Sequence, residues 1–181
     1  MTCYVLGMTA DDLLRLNMPD ARTELVRGEL VVREPAGYRH GDVAARLLVA
    51  IGAFVESRAL GQVFAAETGF RLRKDPDTVR APDVAFVRRD RLPDPPPQGY
   101  AALAPDLVVE VLSPDDRPGE VLSKVGDWLE AGTSLVWVVD PEQQTARVYR
   151  ADGSQGHLSE ADRLEGETVL AGFECEMQRI F

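Results

Sequence analysis

The run Pro105-Asp106-Leu107-Val108-Val109-Glu110-Val111-Leu112-Ser113-Pro114 constrains this chain more than any other stretch. Its apolar, β-branched centre reads as a strand buried on both faces. Side chains alternate along a strand, so Glu110 shares a face with Val108 and Leu112, while Leu107, Val109 and Val111 take the other. Neither face is polar enough to be solvated. An unpaired buried carboxylate costs several kcal/mol (about 2–7 for polar groups, more for charges), so a fold that keeps Glu110 there needs a cation beside it.

The rest of the chain supplies a core large enough to bury such a strand. The 181 residues are 45% hydrophobic and 28% charged, the profile of one globular domain spanning 1–181. No apolar run approaches the roughly 20 residues that span a bilayer, and Met1 to Met8 lacks the charged start and apolar stretch of a signal peptide. The expectation is a cytoplasmic protein with no membrane partner. Cys3 and Cys175 lie near opposite ends with no C-x-x-C spacing, which favours neither a disulfide framework nor a zinc site.

A formal net charge of -10 argues against a general nucleic-acid coating protein, whose affinity rests on many phosphate-neutralising Lys and Arg. The charge is unevenly spread. Arg71 to Arg91 carries seven bases against four acids, whereas Ala151 to Phe181 carries seven acids against two bases.

The order of elements follows from periodicity and punctuation. Thr9 with Asp12 is an N-cap signature for a short helix, Ala10 to Leu16, ending near Pro19. Thr23 to Val26 and Glu29 to Arg33 form a hairpin around Arg27-Gly28, closed by Pro35, with Glu24 and Glu29 read as solvent-facing. Val43, Leu47, Leu48, Ile51, Phe54 and Val55 mark the longest helix, with Gly61 as its stop signal. Strands follow at Gln62 to Ala66, Gly69 to Arg73 and Asp83 to Val87, with Lys74 to Thr78 a polar turn. Pro93 to Pro97 is a surface loop. After the Glu110 strand come a helix from Gly119 to Ala131 closed by Gly132, strands at Leu135 to Val139 and Thr145 to Tyr149, and a weaker strand signal at Thr168 to Leu170. The sum is an α/β (α+β) fold built on a single sheet flanked by helices.

Two further residues bear on Glu110. Asp83 opens a strand after Pro82; if that strand neighbours the Glu110 strand, both carboxylates converge on one hard cation such as Mg²⁺. Pro-Asp is also a common turn starter, and an Asp there often does no more than cap a loop. Lys124 borders the core stripe formed by Val121, Leu122, Val125, Trp128 and Leu129. It can extend its ammonium inward, or stay solvated and pair with Glu120 one turn earlier. These residues alone leave both readings open.

Pro82-Asp83, Glu110-Val111-Leu112-Ser113-Pro114, Lys124 and the stretch from Gly132 through Trp137-Val138-Val139-Asp140-Pro141 together resemble the Uma-type family of proposed bacterial restriction endonucleases, within the PD-(D/E)XK nuclease superfamily. Glu24-Leu25-Val26-Arg27-Gly28-Glu29-Leu30 and His40 also look like that family. The resemblance covers roughly Met8 to Tyr149. It implies a restriction-endonuclease-like fold, a mixed central sheet flanked by helices with an N-terminal helix and hairpin. It further implies a Mg²⁺- or Mn²⁺-dependent endodeoxyribonuclease acting on DNA, with Asp83 and Glu110 as metal ligands and the Val111 carbonyl as a further one. The superfamily lysine normally stands two residues after the second acid, where this chain has Leu112. In the Uma-type pattern a lysine of the following helix takes its place, and Lys124 matches it. Glu120 and Trp128 stand where related sequences often carry Asp and Tyr. His40 is a candidate for orienting substrate or a ligand.

Three functions compete on this reading. The first is a metal-dependent DNA phosphodiesterase, with Arg71 to Arg91 contacting phosphates and a homodimer doubling that positive surface. The second is a binding or assembly module that keeps the nuclease fold without turnover. The third is a hydrolase using Asp83 and Glu110 as acid and base on a small substrate.

Overall fold

A computed structural model describes residues 7–16, 18 and 21–181; the expectations at Cys3 and Pro19 lie outside these residues. The chain opens with helix α1 (Ala10–Arg15) and hairpin strands β1 (Arg22–Val26) and β2 (Glu29–Arg33). The α1 start is a capping box, in which Asp12 N–H donates to Thr9 Oγ1 at 3.2 Å and Thr9 N–H to Asp12 Oδ2 at 3.0 Å. The hairpin turns at Arg27 (φ 51°) and Gly28 (φ 80°), the two successive positive φ values that a two-residue turn between twisted strands demands.

Helix α2 (Tyr38–Arg58) leads to β3 (Gly61–Ala65), β4 (Phe70–Arg73), β5 (Thr78–Arg80) and β6 (Val84–Arg88). Gly61 is not the helix stop expected from sequence. The helix closes earlier, on Ala59 in the left-handed conformation (φ 53°). Gly61 serves instead as the first residue of β3, where a Cβ would sit 2.1 Å from the Val87 carbonyl oxygen. Strand β7 (Leu107–Val111) then feeds helix α3 (Pro118–Glu130) and β8 (Leu135–Asp140), followed by β9 (Thr145–Arg150), β10 (Gln155–Leu158), β11 (Arg163–Glu165) and β12 (Glu174–Glu176). Thr168 to Leu170 is no strand: Val169 and Leu170 N–H both donate to the Gly166 carbonyl, folding the segment into a turn.

The expected single sheet is divided. A central mixed sheet runs β10-β9-β8-β7-β6-β3, a four-stranded sheet runs β2-β1-β5-β4, and β11 pairs with β12. The division arises at β5, hidden in sequence because three residues are too few to display a period. All three of its residues are buried, and Val79 pairs with Leu25 of β1.

In the central sheet β7 lies antiparallel to β6 and parallel to β8, with α3 as the crossover between the parallel pair. The two faces of the sheet pack separately. Leu107, Val109 and Val111 face α2 residues Leu47 and Ile51, whereas Val108, Val136 and Val138 face Val125 and Trp128 of α3. Each such buried side chain contributes about 1.5–3 kcal/mol relative to exposure. Glu110 alternates onto the α3 face. On α3 the expected stripe narrows, since Leu122 is 54% exposed.

Candidate functional site

The antiparallel pairing of β6 and β7 places the start of one beside the end of the other. Asp83, just before β6, donates its N–H to Val109 O at 3.1 Å and accepts Val111 N–H on Oδ2 at 2.8 Å. That clasp fixes its carboxylate at the mouth of β7, next to Glu110. His40, in the first turn of α2, brings Nε2 to 3.2 Å from Asp83 Oδ2, and Arg22 Nη2 donates to Asp83 Oδ1 at 2.8 Å.

Glu110 meets its cation. Lys124 Nζ donates to Glu110 Oε2 at 2.7 Å, and Trp128 Nε1, one turn further along α3, donates to Oε1 at 2.8 Å. The helix period puts residues 124 and 128 on one face above β7. Lys124 also lies 3.2 Å from Glu24 Oε1. Its surface alternative is not adopted, for Glu120 faces Arg33 at 3.6 Å instead. Asp83, Glu110, Lys124 and His40 thus stand in one place, lining a cleft of about 590 Å³.

Glu24 corrects the expectation of a solvent-facing residue: it is 5% exposed. Arg80 Nη1 donates to its Oε2 and Ala81 N–H to its Oε1, each at 2.9 Å, while Arg80 Nε reaches Asp127 Oδ2 at 2.9 Å. A strand with one buried face offers no local signal that its other face will also be covered; only the β5 pairing brings Arg80 across. Glu29, the other acid of the hairpin, is partly exposed. Sequence reasoning therefore missed Glu24, Arg22, Arg80, Asp127 and the indole N–H of Trp128. The legible signal was weak: Arg80 precedes Asp83 by three residues.

The basic segment from Arg71 to Arg91 is also less available for phosphate than its composition suggested. Arg80 is buried between two acids, Arg88 pairs with Asp90, and Arg91 pairs with Asp106.

The electrostatics divide the three acids. For Glu24, burial pushes the carboxyl up, but Lys124, Arg80 and the Ala81 N–H bring it down to about 2. For Asp83, burial likewise raises the carboxyl, and the His40 contact, Lys124 and the Val111 N–H lower it to about 2. Glu110 goes the other way. Burial raises it, Lys124 offsets part of this, and the negative charges of Asp83 and Glu24 lift it to about 7. Burial disfavours the Lys124 ammonium, yet Glu110, Glu24 and Asp83 outweigh that and raise its affinity for its proton.

Asp83 and Glu110 offer hard carboxylate oxygens, and among the described residues no third His, Cys, Asp or Glu completes a larger ligand cluster with them. Two carboxylates suit a cation that keeps most of its waters, as Mg²⁺ does. The Glu110 carboxyl is raised first by burial and then by the charges of Asp83 and Glu24; a divalent ion held there would offset both.

A family model described as "Uma2: Putative restriction endonuclease" matches residues 10–178. Among solved structures, the chain is similar to a protein from Anabaena variabilis ATCC 29413 described as a putative nuclease belonging to DUF820. The two are 23% identical, with a TM-score of 0.82 over 96% of this chain and 97% of the other. That likeness establishes a shared fold, a mixed central sheet with few helices. No curated protein matches the chain.

Proposed function

Because the chain belongs to the Uma2 family, we propose that it is a metal-dependent endonuclease that hydrolyses DNA phosphodiester bonds. The observation that carries this reading is the 2.7 Å contact between Lys124 and Glu110, made although Leu112 stands two residues after that acid. Asp83 and Glu110 would hold Mg²⁺ or Mn²⁺. Such an ion, when bound, polarises a phosphate and lowers the pKa of a coordinated water.

The chain's own residues divide the remaining work. Lys124, held protonated by three carboxylates, serves as a fixed positive charge for the phosphoryl oxygens rather than as a base. Glu110 must lose its proton to bind metal, so metal affinity rises as pH passes through about 7. His40 holds the Asp83 carboxylate from the α2 side and fixes which oxygen faces the cleft. A supercoiled-plasmid nicking assay tests the proposal: activity with Mn²⁺ that disappears in Asp83→Asn, Glu110→Gln and Lys124→Met supports it, and an inactive wild type across plasmid, linear and single-stranded DNA counts against it.

One observation favours a second reading, a binding module without turnover. Both oxygens of Asp83 and both of Glu110 already accept donors from the protein, so the site is satisfied without a metal. DNA retention on a filter, with no cleavage and no Mn²⁺ uptake by the same preparation, would select it.

A further inference from the structure

We infer that Arg22 is a phosphate-binding residue that the metal itself releases, an inference that rests on the endonuclease reading above. Three Lys or Arg side chains line the cleft: Arg22, Arg33 and Lys124. Lys124 is held by Glu110 and Glu24, and Arg33 by Asp116 at 3.0 Å and Glu120 at 3.6 Å. The partners of Arg33 are untouched by a cation held by Asp83 and Glu110, and Lys124, although it would share Glu110 with that cation, keeps Glu24 at 3.2 Å. Arg22 differs. Among the described residues its one carboxylate partner is Asp83, at 2.8 Å, the same acid that would ligate the metal.

The guanidinium and a divalent ion therefore compete for one oxygen, Asp83 Oδ1. Arg22 is 24% exposed where Asp83 is 4% exposed, so the arginine has room to swing while the acid does not. It borders the cleft and also the adjoining groove under Ala44 and Leu48 of α2. Once displaced, it carries five donors and an uncompensated positive charge beside the metal position. That is a fork suited to a phosphate oxygen pair, and a guanidinium cannot discharge itself by losing its proton. Metal and phosphate binding are then coupled through one side chain. In the metal-free protein Arg22 blocks the ligand; in the loaded protein it is the mobile cation that an otherwise acidic cleft, bordered by Glu34, Glu67 and Asp115, presents to DNA.

The handover predicts changes of opposite sign, which a merely structural arginine would not produce. Wild type, Arg22→Ala, Arg22→Gln and Arg22→Lys are titrated with Mn²⁺ by electron paramagnetic resonance of the free ion. The same proteins are titrated with a fluorescent duplex by anisotropy in Ca²⁺. Arg22→Ala and Arg22→Gln are expected to bind Mn²⁺ about tenfold more tightly, having lost the competing cation, and the duplex about tenfold more weakly. Arg22→Lys keeps the charge without the fork, so its Mn²⁺ affinity stays near wild type while its duplex affinity falls between the two.

Because Gln preserves a hydrogen bond to Asp83, it supplies the measurement if Ala fails to fold. Wild type that binds Mn²⁺ and nicks DNA, with Arg22→Gln that binds Mn²⁺ no more tightly or the duplex no more weakly, overturns the handover alone. Wild type that binds no Mn²⁺ and nicks nothing overturns the endonuclease reading and this inference with it.

Discussion

Lys124 and Glu110 are joined at 2.7 Å across the space between helix α3 and strand β7, with Trp128 closing the other carboxylate oxygen. The pair is nearly dry, the two side chains being 15% and 10% exposed. Removing Lys124 strands the Glu110 charge, removing Glu110 leaves Lys124 with Glu24 alone at 3.2 Å and the Trp128 N–H without its acceptor, and removing both avoids the stranded Glu110 charge. Lys124→Met and Glu110→Leu should each lower stability by about 3 kcal/mol, and the double variant should lose less than the sum of the two. Urea denaturation of the four proteins measures this, and additive losses would refute it.

Trp128→Phe isolates one hydrogen bond. The phenyl ring fills much of the indole volume but cannot donate to Glu110 Oε1, so the cost should be about 1–2 kcal/mol. Loss of a donor to the charged form also moves the Glu110 carboxyl further up. A thermal melt and the pH profile of Mn²⁺ binding read the two effects, the profile shifting to higher pH.

Stability should depend on pH in two opposed ways. Glu24 and Asp83 fall to about 2 from 4.5 and 3.8; their contribution is full above those ordinary values and is lost as pH falls toward 2. Glu110 is raised from 4.5 to about 7, so its contribution is full below 4.5 and is lost as pH rises through 7. The metal-free protein should therefore be most stable in mildly acid solution, and Glu110→Gln should flatten the decline toward neutrality. Denaturant midpoints between roughly pH 3 and 9 check both limbs.

Gly61→Ala should destabilise by about 3 kcal/mol or prevent folding. The added methyl would meet backbone, the Val87 carbonyl at 2.1 Å and the Arg89 nitrogen at 2.8 Å, and backbone cannot rotate away as a side chain can. Gly126→Ala in α3, where nothing lies within 4 Å of the new methyl, should instead be neutral or stabilising. Melting temperatures of the two variants make the comparison.

The residues that sequence singled out and that the fold brings into one cleft are those whose signal is local. Glu110 stood out because every neighbour on its strand is apolar. Asp83 and Lys124 were singled out by a turn dipeptide and by the border of a helical stripe, and the family resemblance linked them. Glu24 was misread because its burial depends on Arg80, fifty-six residues away, and on a three-residue strand with no period of its own. The division into two sheets escaped for the same reason: strand partnership is decided by pairings such as Leu25 with Val79, which no window of sequence contains. Gly61 was misread because a glycine that admits a neighbouring strand and one that ends a helix look identical in sequence.

Arg80-Ala81-Pro82-Asp83 spans both sheets in four residues. Arg80 closes β5 in the small sheet and grips Glu24, while Asp83 immediately precedes β6 of the central one and meets Glu110's strand. The segment therefore behaves as a ruler. A single inserted residue between Arg80 and Asp83 would put one of the two out of step with its partners, whereas the loop from Pro93 to Pro97, tied to neither, can lengthen freely. Length variation among functional versions of this chain should be tolerated there and excluded at the ruler, whatever the residues inserted.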